Sequence, residues 1–232
     1  KEDSGDLLIP GKVEEFLPML YREGFPRNFN DEVAWLYLMT DDVEMGQLEL
    51  DPEDEANDTR DKNSSDAFNV GEGEEPYKWE REIISYADNF WERRYGNILA
   101  CNLVIDALPE MEYVEADSGN YNFLAAQAYA LRAYNYWCLV NSYALPWSKE
   151  NLDKPGVIIR MEPQINISPR GRSSIREVYD LINEDIEKAE KYINIATFDG
   201  NIHRLSEPAI LLLASRIALF QENWDEVIRT GK

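Results

Sequence analysis

The chain has 232 residues, enough to bury a sizeable core as one large domain or two small ones, and its 44% hydrophobic and 29% charged content is that of a globular protein rather than a disordered one. With 45 acidic against 23 basic side chains it carries a net charge of −22, a field that repels phosphate backbones and anionic lipid headgroups and so argues against nucleic-acid binding. Two cysteines and a single histidine make neither a disulfide framework nor a structural zinc site.

Taken in chain order, residues 12–24 open with an apolar stripe at Val13, Phe16, Leu17, Leu20 and Tyr21, the spacing of a helix, with Pro18 starting or kinking it. The segment Glu32 to Met45 is apolar in its middle, and its type stays open between helix and strand. Between Asp41 and Pro76 stand 14 acidic residues opposed only by Arg60 and Lys62, which reads as a long solvated loop. Within it, Asp51, Glu53, Glu55 and Asn57 alternate like a calcium loop, but Ala56 stands where an EF-hand needs glycine.

A helical pattern then runs from about Tyr77 or Trp79 to Leu108, where Pro109 stops it. Tyr121 to about Ala144 is apolar on most faces, and Ala125, Ala126, Ala128, Ala130 and Ala133 let a neighbouring helix come close. The proline-rich stretch Leu145 to Gly171 is read as a long connection. Ser174 and Glu177 form a capping box ahead of an amphipathic helix whose buried side is Ile175, Val178, Tyr179, Ile182, Ile186, Ala189, Tyr192 and Ile193. Ser206 is expected to cap the next helix, with Pro208 in its first turn, running to Gln221. Asn223 starts a last helix whose Trp224, Val227 and Ile228 are expected to face inward. The apolar run Ala209 to Phe220, broken by Ser215 and Arg216, is too short to span a bilayer.

Tightly joined antiparallel helix pairs point to an all-α, tetratricopeptide-like repeat scaffold with long irregular loops. The last helix stops at Lys232 with its apolar side uncapped, so a piece of a longer protein is expected. Arg132 lies inside an apolar helix, where a buried arginine needs a carboxylate or several carbonyl partners, and its expected role is structural. Cys101 and Cys138 are expected to be free thiols. Antiparallel neighbours would set them roughly 15 Å apart at about 1.5 Å per residue, whereas a disulfide needs Cα atoms within about 7 Å.

Four runs of residues carry a family resemblance. Trp91, Tyr95, Ile98, Asn102 and Ile105 form one helical pattern, and Leu131, Arg132, Ala133, Tyr136, Leu139, Val140 and Tyr143 a second. Arg172, Ser174, Glu177, Val178, Tyr179, Ile182, Asp185, Ile186 and Ala189 make the third, and the Ala209 to Phe220 helix followed by Asn223 and Trp224 the fourth. In this order they resemble the SusD-like (RagB-type) nutrient-binding lipoproteins over residues 79–232, with Ala144 departing from the family's usual glycine.

The resemblance implies residues 1–78 as an N-terminal arm with the acidic loop, residues 79–232 as helical repeats, and a C-terminal part absent from this chain. It implies a protein without catalysis or cofactor that binds oligosaccharide or a similar nutrient. Its partner would be a SusC-like TonB-dependent transporter, and its place the outer-membrane surface. Lys1, Glu2 and Asp3 resemble the run that follows the lipidated cysteine in such lipoproteins.

Glycan capture needs flat rings for sugar faces and amide or charged side chains for hydroxyls. Tyr77, Trp79 and Arg60, bordering the acidic loop, and Trp147 in the proline-rich connection are the candidates for ligand contact. Trp91, Trp137 and Trp224 fall on apolar stripes and are assigned to the core. Two alternatives stand beside this reading. A generic tetratricopeptide adaptor would be supported by basic clamp residues in its groove, whereas this chain is acidic and interrupts its repeats with long loops. A glycan-processing enzyme would want a carboxylate in an apolar setting, and none stands out.

Overall fold

The computed structural model describes residues 17, 20–21, 84–110, 118–164, 168–198 and 200–231. The segment 32–45, the acidic stretch 41–76 with its calcium-like run, and Tyr77, Trp79 and Arg60 lie outside the described residues, as do Lys1 to Asp3. The chain divides into two compact units, residues 1–25 with 93–232 and residues 26–92, and the first holds most of the described residues.

Five helices make up the described architecture, which is all-α: α1 (Ile84–Ala107), α2 (Ser118–Tyr143), α3 (Ile175–Ile193), α4 (Glu207–Phe220) and α5 (Trp224–Thr230). A 3-10 turn, Leu108–Glu110, ends α1 where Pro109 forbids a further helical hydrogen bond. Leu17 and Leu20 are helical and buried in the same core, and the Tyr21 hydroxyl donates to Gln127 Oε1.

Helix α2 is the spine. Phe123, Leu124, Leu131, Leu139 and Val140 are buried along it, together with Ala125, Ala126, Ala128, Ala130 and Ala133, each wholly buried. Each large aliphatic side chain there contributes about 1.5–3 kcal/mol by leaving water. The alanines bring neighbouring backbones close, as their size anticipates, and α3 is the helix most extensively packed against α2.

Polar bonds set the antiparallel register of α1 and α2. Arg94 Nη1 donates to Asn135 Oδ1 at 3.2 Å near one end, and the Tyr121 hydroxyl donates to Leu108 O at 3.2 Å near the other. In that register Cys101 and Cys138 lie well apart along the helices, and both are free, as expected.

Helix α3 is amphipathic and its start is the capping box read from the sequence. The Glu177 N–H donates to Ser174 Oγ at 3.2 Å, and the Ser174 N–H donates to Glu177 Oε2 at 2.7 Å. Its buried side carries Ile175, Val178, Tyr179, Ile182, Ile186, Ala189 and Ile193 as expected, while Tyr192 is half-buried. Ahead of it, the connection from α2 is pinned by a bridge between Pro155 and Ser174. Gly156 donates to Ser173 O at 2.7 Å, and a Cβ at Gly156 would stand 3.1 Å from that same oxygen, so the close approach favours glycine.

Two expectations fail in the closing pair. Ser206 occupies the N-cap position of α4 with Pro208 in the first turn, but its hydroxyl makes no capping bond. Trp224 and Ile228 do not face inward; they are 59% and 56% exposed, because α5 packs on α4 by its other side and no described helix covers this one. The join itself is a Schellman turn: Asn223 N–H donates to Ala218 O at 2.9 Å and Glu222 N–H to Leu219 O at 3.1 Å. Glu222 takes the left-handed position, φ 56, that glycine usually holds.

Candidate functional site

Two polar assemblies stand out, and only one is open to a ligand. The closed one surrounds Arg132. Its Nε and Nη2 each donate to Asp185 at 2.7 Å, a bidentate pair with side chains 3% and 0% exposed, and Nη1 donates to Asn102 Oδ1 at 2.9 Å. Burial opposes the Arg132 charge, but the hydrogen bonds and attraction of Asp185 outweigh it and hold its pKa above the ordinary value. Burial pushes the Asp185 carboxyl upward, against the pull of Arg132. The bidentate geometry is that of an ionised pair.

Asn102 extends this assembly outward, its Nδ2 donating to Arg160 O at 2.9 Å and to Glu162 O at 3.3 Å. The Tyr136 hydroxyl donates to Arg160 O and accepts from Arg160 N–H, both at 2.8 Å, and the Tyr95 hydroxyl donates to Ile158 O at 2.7 Å. Helix side chains thus tie down an extended segment that has no strand to pair with among the described residues. The role is structural, as expected for Arg132. Its carboxylate, Asp185, does not stand out in the sequence.

The open assembly is a groove of about 350 Å³ bounded by α3, α4 and α5. Helix α3 presents Asn183, Ile186, Glu187 and Glu190, and α4 presents Ala214, Ile217 and Ala218, with Gln221 just beyond it. Each set follows the i, i+3, i+4, i+7 spacing that places residues on one helix face. Ile186, Ala214, Ile217 and Ala218 are buried and make an apolar floor. Asn223 and Glu226 close one end, and Trp147 stands in the wall.

Trp147 is the one sequence candidate within the described residues, and it lies at this groove. The ring is half-buried, edge-on to Tyr179 at 4.7 Å between centroids. Tyr179 is anchored in turn, its hydroxyl donating to Asn141 Oδ1 at 3.2 Å, and burial pushes its pKa up to about 12. Asn151 Nδ2 donates to Pro146 O at 2.9 Å and shapes the loop beside the ring.

At the far end Arg229 clasps two carboxylates. Its Nη2 donates to both Glu190 oxygens at 2.8 Å and to Glu226 Oε1 at 2.5 Å, and its Nε donates to Glu226 Oε2 at 2.8 Å. The Arg229 hydrogen bonds hold the Glu226 carboxyl below its usual range. Asn223 spends its Oδ1 on the Glu226 N–H at the start of α5, and its Nδ2 makes no bond among the described residues. The side chains of Asn183, Glu187 and Gln221 are invisible as a set in the sequence, because each reads as solvated helix surface.

Among the described residues no group of three or more histidine, cysteine or acidic side chains could hold a metal ion, and no helix is long and apolar enough to cross a membrane. Cys101 is buried, and burial pushes its thiol up to about 12, away from nucleophilic use.

Residues 25–219 match the SusD-like family described as starch-binding, associating with the outer membrane. Over 119 residues the chain is 31% identical to a SusD-like protein of Formosa agariphila, an alignment spanning 50% of this chain and 20% of that relative. A SusD superfamily protein of Bacteroides fragilis has the same fold with a TM-score of 0.69 at 20% identity, over 96% of this chain and 48% of that one. A laminarin-binding SusD-like protein gives 0.67 at 18% identity, over 95% and 42%. The chain therefore spans less than half the length of each of these relatives.

Proposed function

The chain belongs to the SusD-like family, and from that premise we propose that it captures oligosaccharide at the outer-membrane surface without turning it over and passes it to a SusC-like TonB-dependent transporter. The observation that carries the reading is the match of residues 25–219 to a family described as starch-binding. The groove beside Trp147 adds suitable chemistry, with a ring to bury part of a sugar face, an apolar floor, and amide and carboxylate groups for hydroxyls. Laminarin binding by a structural neighbour is in keeping with a glucan ligand.

Binding without catalysis fits Glu226 in the groove. A glycosidase needs one carboxyl with a raised pKa to protonate the leaving group. Glu226 is instead held below the usual range by its bonds to Arg229, so it stays an acceptor. Lipid anchoring in the outer membrane belongs to the same reading and is tested by cell fractionation with palmitate labelling.

Calorimetry against a panel of oligoglucosides, with chromatography of the products, tests the binding role. Weak saturable binding with the sugars recovered intact is expected. Trp147→Ala should weaken it by about five- to thirtyfold, the equivalent of about 1–2 kcal/mol of lost ring burial. Release of shortened sugars by the pure protein would overturn the reading.

A further inference from the structure

The charge of the groove bears on which sugars it admits. Glu187, Glu190 and Glu226 line it, and the cation at its edge, Arg229, has its Nε and Nη2 committed to Glu190 and Glu226. Three carboxylates against that one guanidinium leave two negative charges in a cleft whose floor is apolar. The net charge of the chain, −22, has the same sign. The bond-making capacity still open is suited to hydroxyls: the Glu187 carboxylate accepts, the Asn223 Nδ2 donates, and the amides of Asn183 and Gln221 do both.

We propose that this groove selects uncharged glycans and turns away chains bearing uronate or sulfate groups. The inference rests on the glycan-binding reading above and adds the class of chain. A neutral sugar presents neighbouring hydroxyls that donate to a carboxylate and accept from an amide. The carboxylate of a uronate, or a sulfate group, presents only acceptors and a like charge, and like charges brought together across a desolvated contact cost affinity.

The test compares uncharged oligoglucosides with oligouronates and sulfated galactan fragments of similar length, by calorimetry with the full chain at low and high salt. The uncharged chains should bind, and the anionic ones should bind about tenfold more weakly or worse at low salt. That gap should narrow at high salt, where screening shortens the reach of the field. Glu187 is exposed on a helix and its side chain bonds to nothing among the described residues, so Glu187→Gln should fold normally and narrow the gap at low salt. Equal or tighter binding of anionic chains at low salt, or a gap indifferent to both salt and Glu187→Gln, would overturn the inference and leave glycan binding standing. A protein that binds no glycan of either class, or takes only a lysine-rich peptide, would overturn the binding reading and this inference with it.

Discussion

Helices α1 to α3 and the pair α4–α5 are built from similar apolar stripes, but they end differently. In the first region the stripes are mostly buried, and the charge trapped between them finds its partners: Arg132 pairs with Asp185 and reaches Asn102. In the second the stripes meet on one side only, leaving Trp224 and Ile228 exposed, while the adjoining polar faces bound a groove with unpaired amides and a free carboxylate. The same residue types are therefore mortar in one place and a receptive surface in the other. What separates the two is whether a second helix supplies the matching partner.

Removing a partner in the closed region should produce the largest effect. Arg132→Met strands the Asp185 carboxylate in the core and should cost about 3–5 kcal/mol, read as a lowered midpoint in urea. A double variant, Arg132→Met with Asp185→Leu, should recover much of that loss, because it leaves neither charge unpaired. A single variant within about 0.5 kcal/mol of the parent would erase the distinction between the regions.

The start of α3 lies between the two regimes, exposed but fully bonded. Ser174→Ala should cost about 1 kcal/mol in the same assay. The backbone and side-chain bonds from Ser174 hold the Glu177 pKa below its ordinary value. The stabilisation is therefore complete above the ordinary carboxylate range and is lost as pH falls through the folded-state value. Glu177→Ala should flatten that part of the stability–pH curve, and a parent curve that lacked it would count against the capping box as a thermodynamic feature.

The smallest effect belongs to the open side. Trp224→Ser should change stability by no more than about 0.5 kcal/mol, since most of the residue is already in water. A loss of 2 kcal/mol or more in this chain, about four times that bound, would mean that the α5 face is covered after all.

How much of the molecule is legible in the sequence depends on the range of the forces involved. The capping box, the stripe of α3 and the alanine run of α2 are local patterns, and each is visible where it stands. Arg132 announces a need for a carboxylate or several carbonyls, but with 45 acidic residues only packing across 53 positions selects Asp185. The groove is less legible still. Asn183, Glu187 and Glu190 have the spacing of an ordinary solvated helix face, and nothing near them in the chain says that Gln221 and Asn223 stand opposite. Trp147 is visible because a tryptophan in a proline-rich connection is out of place in a core. For Trp224 and Ile228 periodicity marks a sticky face without saying whether anything covers it, and so assigns them inward.

The extended segment tied down by Tyr95, Asn102 and Tyr136 bears on how this chain can change length over evolutionary time. Its grip is indexed residue by residue: Ile158, Arg160 and Glu162 offer their carbonyls at every second position to three fixed side chains. Inserting or deleting one residue ahead of Ile158 would present the wrong edge of the backbone to all three at once, because alternate residues of an extended chain point opposite ways. Beyond Glu162 the anchors are surface contacts such as Arg170 with Glu162, which can be remade at another spacing. Insertions that enlarge this connection are therefore expected between residues 163 and 170, and the residues just before them should keep their number even where their identities drift.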